Sequence, residues 1–114
     1  MKVAVDFDGT LVEPLEYPNT SYMLKENAKE VLERLTKKGV EFELYTARYG
    51  WWRLPAITFC KENKLPIKTK LFNKKPKADL YIDNSNIFCE EINWLEIEKE
   101  ILRKLELKCT NIMK

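Results

Sequence analysis

Two aspartates two residues apart, Asp6 and Asp8, close the apolar run Val3-Ala4-Val5 and are followed at once by Gly9. Side chains repeat with period two along a strand, so both carboxylates can face one site. Gly9 lets the backbone turn closely around a ligand. Two further runs rich in strand formers end in polar residues, Val40 to Thr46 at Thr46 and Leu80-Tyr81-Ile82 at Asp83, and Lys74, Lys75 and Lys77 lie just before the latter. Clustered carboxylates, a hydroxyl and lysines are equipped to hold a hard cation, to attack or protonate, and to meet an anion. The chain contains no histidine. That excludes Ser-His-Asp and Cys-His nucleophilic sites, histidine-ligated metals and histidine general bases, so any acid or base is a carboxylate, lysine, tyrosine or thiol.

The elements that must position these residues alternate. Between the first two strand-like runs, Ala28, Val31, Leu32 and Leu35 recur at i, i+3, i+4 and i+7, which predicts an amphipathic helix over Lys25–Lys38 with Gly39 as its stop. A second helix is expected to begin near Trp52–Pro55, to carry Ala56, Phe59 and Cys60 on one face, and to close at Pro66. Lys70–Asn73 reads as a weak third strand and Leu80–Ile82 as a stronger fourth. Asn93 with Glu96 forms a capping pair for a last helix bearing Trp94, Ile97, Ile101 and Leu105 on one stripe. The expected fold is a single α/β domain over residues 1–114 with a mostly parallel sheet, because parallel neighbours need crossover connections. Ligands of such sheets bind beyond the carboxyl ends of the strands, where Asp6, Asp8, Thr46 and Asp83 fall.

With 114 residues, 45% of them apolar and 33% charged, the chain can bury one core and reads as globular. Its net charge of +2 gives no global field of the kind that marks a general nucleic-acid binder. Three cysteines at irregular spacing form no zinc pattern and read as reduced thiols. No apolar stretch approaches the ~20 residues that span a bilayer, so no membrane partner and a cytoplasmic location are expected.

Asp6-Phe7-Asp8-Gly9-Thr10-Leu11 after an apolar strand resembles the first signature of the haloacid-dehalogenase (HAD) hydrolases. Thr46 resembles the second, and Lys75 with Ala78-Asp79-Leu80-Tyr81-Ile82-Asp83 resembles the third and fourth, in order over roughly Lys2 to Ile101. Glu13, Tyr17-Pro18, Thr46-Ala47-Arg48 and the Trp94 region are similar to a short, capless subgroup. The resemblance implies a three-layer α/β/α Rossmann-like core and a phosphomonoester hydrolase. In it Mg²⁺ is held by the Asp6 carboxylate, the Asp8 main-chain carbonyl and Asp83. Asp6 attacks phosphorus to give an aspartyl phosphate, Asp8 acts as general acid and base, Thr46 hydrogen-bonds a phosphoryl oxygen, and Lys75 supplies positive charge. Gly9, Thr10, Ala47 and Arg48 contact substrate. The cation answers a physical need, since two anions closing to ~3.3 Å repel by several kcal/mol at an effective dielectric of ~20.

Each residue has a plainer role to set beside this one. An Asp-x-Asp pair can be a turn feature, Thr46 a β-branched strand residue, and the lysines a solvated loop, with Lys74 or Lys77 able to substitute for Lys75. Trp51 and Trp52 can stack on a base or sugar, although packing of helix on sheet is the commoner role of such a pair. Asp79 begins its strand and is expected at the opposite end from the site. Asn84 stands where related sequences often carry a second acid, which motivates an alternative: a binding or regulatory domain of the same fold with little turnover. Neither Val12–Met23 nor the stretch after Leu71 has room for a cap, so an open site is expected. Such a site suits a phosphate protruding from something large, such as a nucleic-acid end, a protein or a glycan precursor, or a nucleotide or sugar phosphate with a second subunit closing the pocket.

Overall fold

The computed structural model describes residues 1–13, 22–46, 50–70, 77–83 and 92–113. The apolar run at the start of the chain forms β1 (Lys2–Val5), whose Val3, Ala4 and Val5 are fully buried, as expected of a strand paired on both edges. Parallel neighbours flank it, β2 (Glu41–Leu44) through Val5↔Leu44 and β3 (Leu80–Ile82) through Val5↔Ile82, giving the order β2-β1-β3. The fold is therefore α/β, with a small open parallel sheet and three α-helices among the described residues.

The helix between β1 and β2, α1 (Ala28–Lys37), buries the four residues of the expected stripe, each contributing up to about 1.5–3 kcal/mol for the large apolar members. It begins three residues later than the periodicity suggests because Asn27 holds a left-handed φ of 67°, which a continuing helix cannot contain. It ends as expected at Gly39: the Val40 N–H donates to the Leu35 carbonyl and the Gly39 N–H to the Thr36 carbonyl, the paired bonds of a Schellman cap, with φ 93° at the glycine.

A 3-10 turn (Gly50–Arg53) leads into α2 (Leu54–Glu62), with Pro55 in the first turn. Ala56, Ile57 and Cys60 are buried and Phe59 is half-buried. Trp51 and Trp52 do not pack helix on sheet; they are 72% and 59% exposed. Winding at three residues per turn puts Trp52 out of phase with the Ala56 and Cys60 stripe that an α-helical turn would have continued. The helix stops before Pro66 is reached: Lys64, at φ 53°, occupies the left-handed cap position, with Leu65 N–H donating to the Cys60 carbonyl and Lys64 N–H to the Lys61 carbonyl.

The strand expected at Lys70–Asn73 is represented by one parallel bridge two residues earlier, Lys68 beside Glu43. The Leu44 N–H donates to the Lys68 carbonyl and the Lys68 N–H to the Phe42 carbonyl, both at 2.8 Å. Lys70 lies outside any strand, its ammonium 3.6 Å from the Glu43 carboxylate, and residues 71–73 lie outside those described. After β3, α3 (Trp94–Met113) starts at Asn93, whose side-chain oxygen accepts from the Leu95 and Glu96 N–H groups. It packs against α1, buries Trp94, Ile97 and Ile101, and joins α1 through Arg34, which holds both Glu98 oxygens at 2.7 and 2.9 Å. No described helix is long and apolar enough to cross a membrane.

Candidate active site

Register brings the acids together. Val5 pairs with Ile82, and the pairing continues one step, the Asp6 N–H donating to the Ile82 carbonyl at 2.9 Å. Asp6 and Asp83 are thus the next residues on neighbouring parallel strands ~4.8 Å apart, a spacing from which both carboxylates can reach one ion. Asp6 is half-buried and Asp83 is 9% exposed. One Asp6 oxygen accepts from the Phe7 N–H at 2.8 Å, which fixes the carboxylate against the backbone of the following turn.

That turn is tight. The Phe7 carbonyl accepts from the Thr10, Leu11 and Val12 N–H groups at 3.1 to 3.3 Å, and Gly9, at φ 78°, donates to the Val12 carbonyl. A positive φ at this point is the reason for glycine. Asp8 is exposed on the outside of the turn, two residues from Asp6. The Glu13 N–H then donates to the Met23 carbonyl and the Lys25 N–H to the Leu11 carbonyl, so the segment between Val12 and Met23 is closed at its base. Thr10 is fully buried; its carbonyl accepts from the Trp94 indole N–H at 3.0 Å, while its hydroxyl has no hydrogen-bond partner among the described residues.

Thr46 is 7% exposed and lies just past the carboxyl end of β2, one residue beyond Tyr45, whose N–H donates to the Val5 carbonyl at 2.7 Å. It therefore stands at the level of Phe7, at the same edge of the sheet as the acids. Asp79 is at the other edge, as expected, accepting from the Lys2 N–H. Lys75, Lys74, Ala47, Arg48 and Asn84 lie outside the described residues, and Lys77 is exposed.

Among the described residues no three His, Cys, Asp or Glu side chains gather as a metal-binding group. A set of two carboxylates and one main-chain carbonyl does not require such a group. Its donors are all hard oxygens, the kind magnesium takes while keeping several waters. The acids do not line a cleft of about 830 Å³ between β3 and α3, whose walls include Glu13, Lys25, Tyr81, Ile82 and Trp94. The site is the carboxyl edge of the sheet, defined by strand ends.

Periodicity did not single out one buried acid, Glu43, at 2% exposure on β2, with Lys2 at 3.5 Å and Lys70 at 3.6 Å. The alternation Glu41-Phe42-Glu43-Leu44 is a signal of a polar face that could have found it. Nor did it link Tyr22 to the site. Its ring meets Phe7 edge-on at 5.1 Å, directly between the two acids in sequence.

An α/β domain with an acidic carboxyl edge is thus defined. No protein-family model and no curated protein matches the chain. Among solved structures, a conserved protein from Bacteroides thetaiotaomicron is similar to it, with 32% identity over 91% of this chain and 91% of its own and a TM-score of 0.72. The chain belongs to the same family as that conserved protein.

Proposed function

We propose that this protein is a magnesium-dependent phosphomonoester hydrolase of the HAD type, with Asp6 as nucleophile and Asp8 as general acid and base. The observation that carries the reading is the register that sets Asp6 beside Asp83, with Asp8 on the glycine turn that follows. The finer fold, a three-layer capless core, belongs to the same proposal. It is supported by the burial of consecutive β1 residues on both faces of the sheet, and by the shortness of the stretches that could hold a cap. A cytoplasmic setting is part of it too, in keeping with Cys60 as a buried free thiol.

On this reading an Asp6 oxygen forms a bond to phosphorus as the bond to the leaving oxygen breaks, and Asp8 gives that oxygen its proton. Asp8 then takes a proton from the water that attacks the aspartyl phosphate, which releases inorganic phosphate and restores Asp6. Magnesium, held by the Asp6 and Asp83 carboxylates and the Asp8 carbonyl, would supply the positive charge that offsets the repulsion between Asp6 and the phosphate. Lys75 and Thr46 are assigned to the phosphoryl oxygens, with Gly9, Thr10, Ala47 and Arg48 around them.

The test is turnover of p-nitrophenyl phosphate with and without Mg²⁺, together with a search for a beryllium fluoride adduct on Asp6. Magnesium-dependent turnover that Asp6→Asn and Asp8→Asn abolish is expected. Absence of both turnover and adduct in the wild-type protein refutes the reading. Adduct formation without turnover assigns the protein instead to the binding role that Asn84 motivates.

A further inference from the structure

Trp51 and Trp52 are 72% and 59% exposed, and clustered exposed aromatics mark binding surfaces. Trp51, with Tyr22, Leu54, Pro55 and Phe59, lines a groove of about 600 Å³ along α2, within the range of small-molecule sites. Two of its walls touch the acidic turn. The Tyr22 and Phe59 rings meet each other edge-on at 5.6 Å and meet Phe7 at 5.1 and 5.9 Å, and Phe7 is the residue between Asp6 and Asp8. The inner wall of the groove therefore rests on the residue that links the two acids in the chain.

The lining also speaks to the occupant. Apart from Glu62, the described residues lining the groove are uncharged, which favours a neutral planar group over an anionic strand. We infer that this groove receives the nucleobase of a nucleoside monophosphate, stacked on Trp51, while its phosphate lies at the acidic edge. The inference rests on the hydrolase reading for the phosphate end, and on the groove alone for the base.

Two measurements separate those ends. The first is quenching of tryptophan fluorescence by adenosine, which has no phosphate. Trp94 is 1% exposed, so Trp51 and Trp52 are the fluorophores within reach of a quencher. Quenching that saturates in the wild-type protein and is lost in Trp51→Leu is expected, and quenching absent from the wild type, or unchanged in Trp51→Leu, overturns the inference whatever becomes of the hydrolase. The second is kcat/KM for AMP relative to glycerol phosphate and glucose 6-phosphate. Trp51→Leu should lower the AMP-to-glycerol phosphate ratio about tenfold, the size of one base stacked on an aromatic ring, and Trp51→Phe should restore most of it. Hydrolysis that prefers the sugar phosphate, or a ratio indifferent to Trp51, overturns the inference while leaving the hydrolase intact. Because Trp51 is 72% exposed, these variants do not put the core at risk.

Discussion

Removing the indole N–H of Trp94 tests how the last helix supports the acidic turn. Trp94 is 1% exposed, and its nitrogen donates at 3.0 Å to the carbonyl of Thr10, a residue with no exposure at all. In Trp94→Phe that carbonyl loses its donor and stays away from water, a penalty of about 1–3 kcal/mol. The smaller ring leaves space worth about another 1 kcal/mol. The sum, about 2–4 kcal/mol, is a large part of the ~5–15 kcal/mol available to a domain of this size. In urea, with the slope unchanged, the midpoint should fall by about 1–2 M. Thr10 is two residues past Asp8, so the proposed phosphatase activity, measured where the variant is still folded, should fall as well, because misplacing a catalytic group by ~1 Å can cost ~100-fold. A loss of stability below about 1 kcal/mol would show that the bond does not hold the turn, and full activity in a destabilised variant would show that the turn does not need it.

Thr10→Val replaces a buried hydroxyl that has no partner among the described residues with a methyl group, and should leave stability in urea unchanged or raise it by up to about 1 kcal/mol. Burial pushes the Cys60 thiol up to about 12 from the ordinary 9.0. Within that window the unfolded chain releases the proton while the folded one keeps it, so stability should fall with rising pH, a slope that Cys60→Ala reduces. At neutral pH Cys60 should resist thiol reagents until denaturant is added. The hydrogen bond from Arg34 holds the Glu98 carboxyl below its ordinary value, so its contribution is present at neutral pH and lost as pH falls through the folded value. The difference in melting temperature between wild type and Arg34→Gln should accordingly shrink from pH 7 to pH 3. Lys64→Gly relieves a left-handed residue at the α2 cap and should stabilise by about 0.5–1 kcal/mol in urea melts.

What the sequence made legible follows from which signals are local. The α1 stripe, the β1 and β3 runs and the Asn93 cap are written in spacing and residue type, and the structure has them where spacing puts them. The misjudged boundaries share a different cause: Asn27 and Lys64 adopt positive φ without being glycine, which no composition rule announces. Pro66 looked like the end of α2, but the chain had already turned at Lys64. The Trp51 and Trp52 misreading has a similar origin, since a stripe counted at 3.6 residues per turn goes out of phase over a 3-10 turn.

The candidate site divides along the same line. Asp6 and Asp8 are neighbours in sequence, so their proximity needed only a strand and a glycine. Asp83 is brought beside them by the pairing of Val5 with Ile82, which depends on β3 lying parallel to β1 without an offset that would carry the acid off the shared edge. A slip of one residue would place Ile82 or Asn84 level with Asp6 in strand terms and turn the aspartate to the other face. The Asp79 side chain opposes that slip, because it accepts from the Lys2 N–H at 2.8 Å while its own N–H donates to the Lys2 carbonyl at 2.8 Å, locking the far end of the same strand pair. An acid at the opposite edge of the sheet thus sets the register on which the acidic edge depends, and a residue 77 positions along the chain from Lys2 helps to place Asp83 beside Asp6.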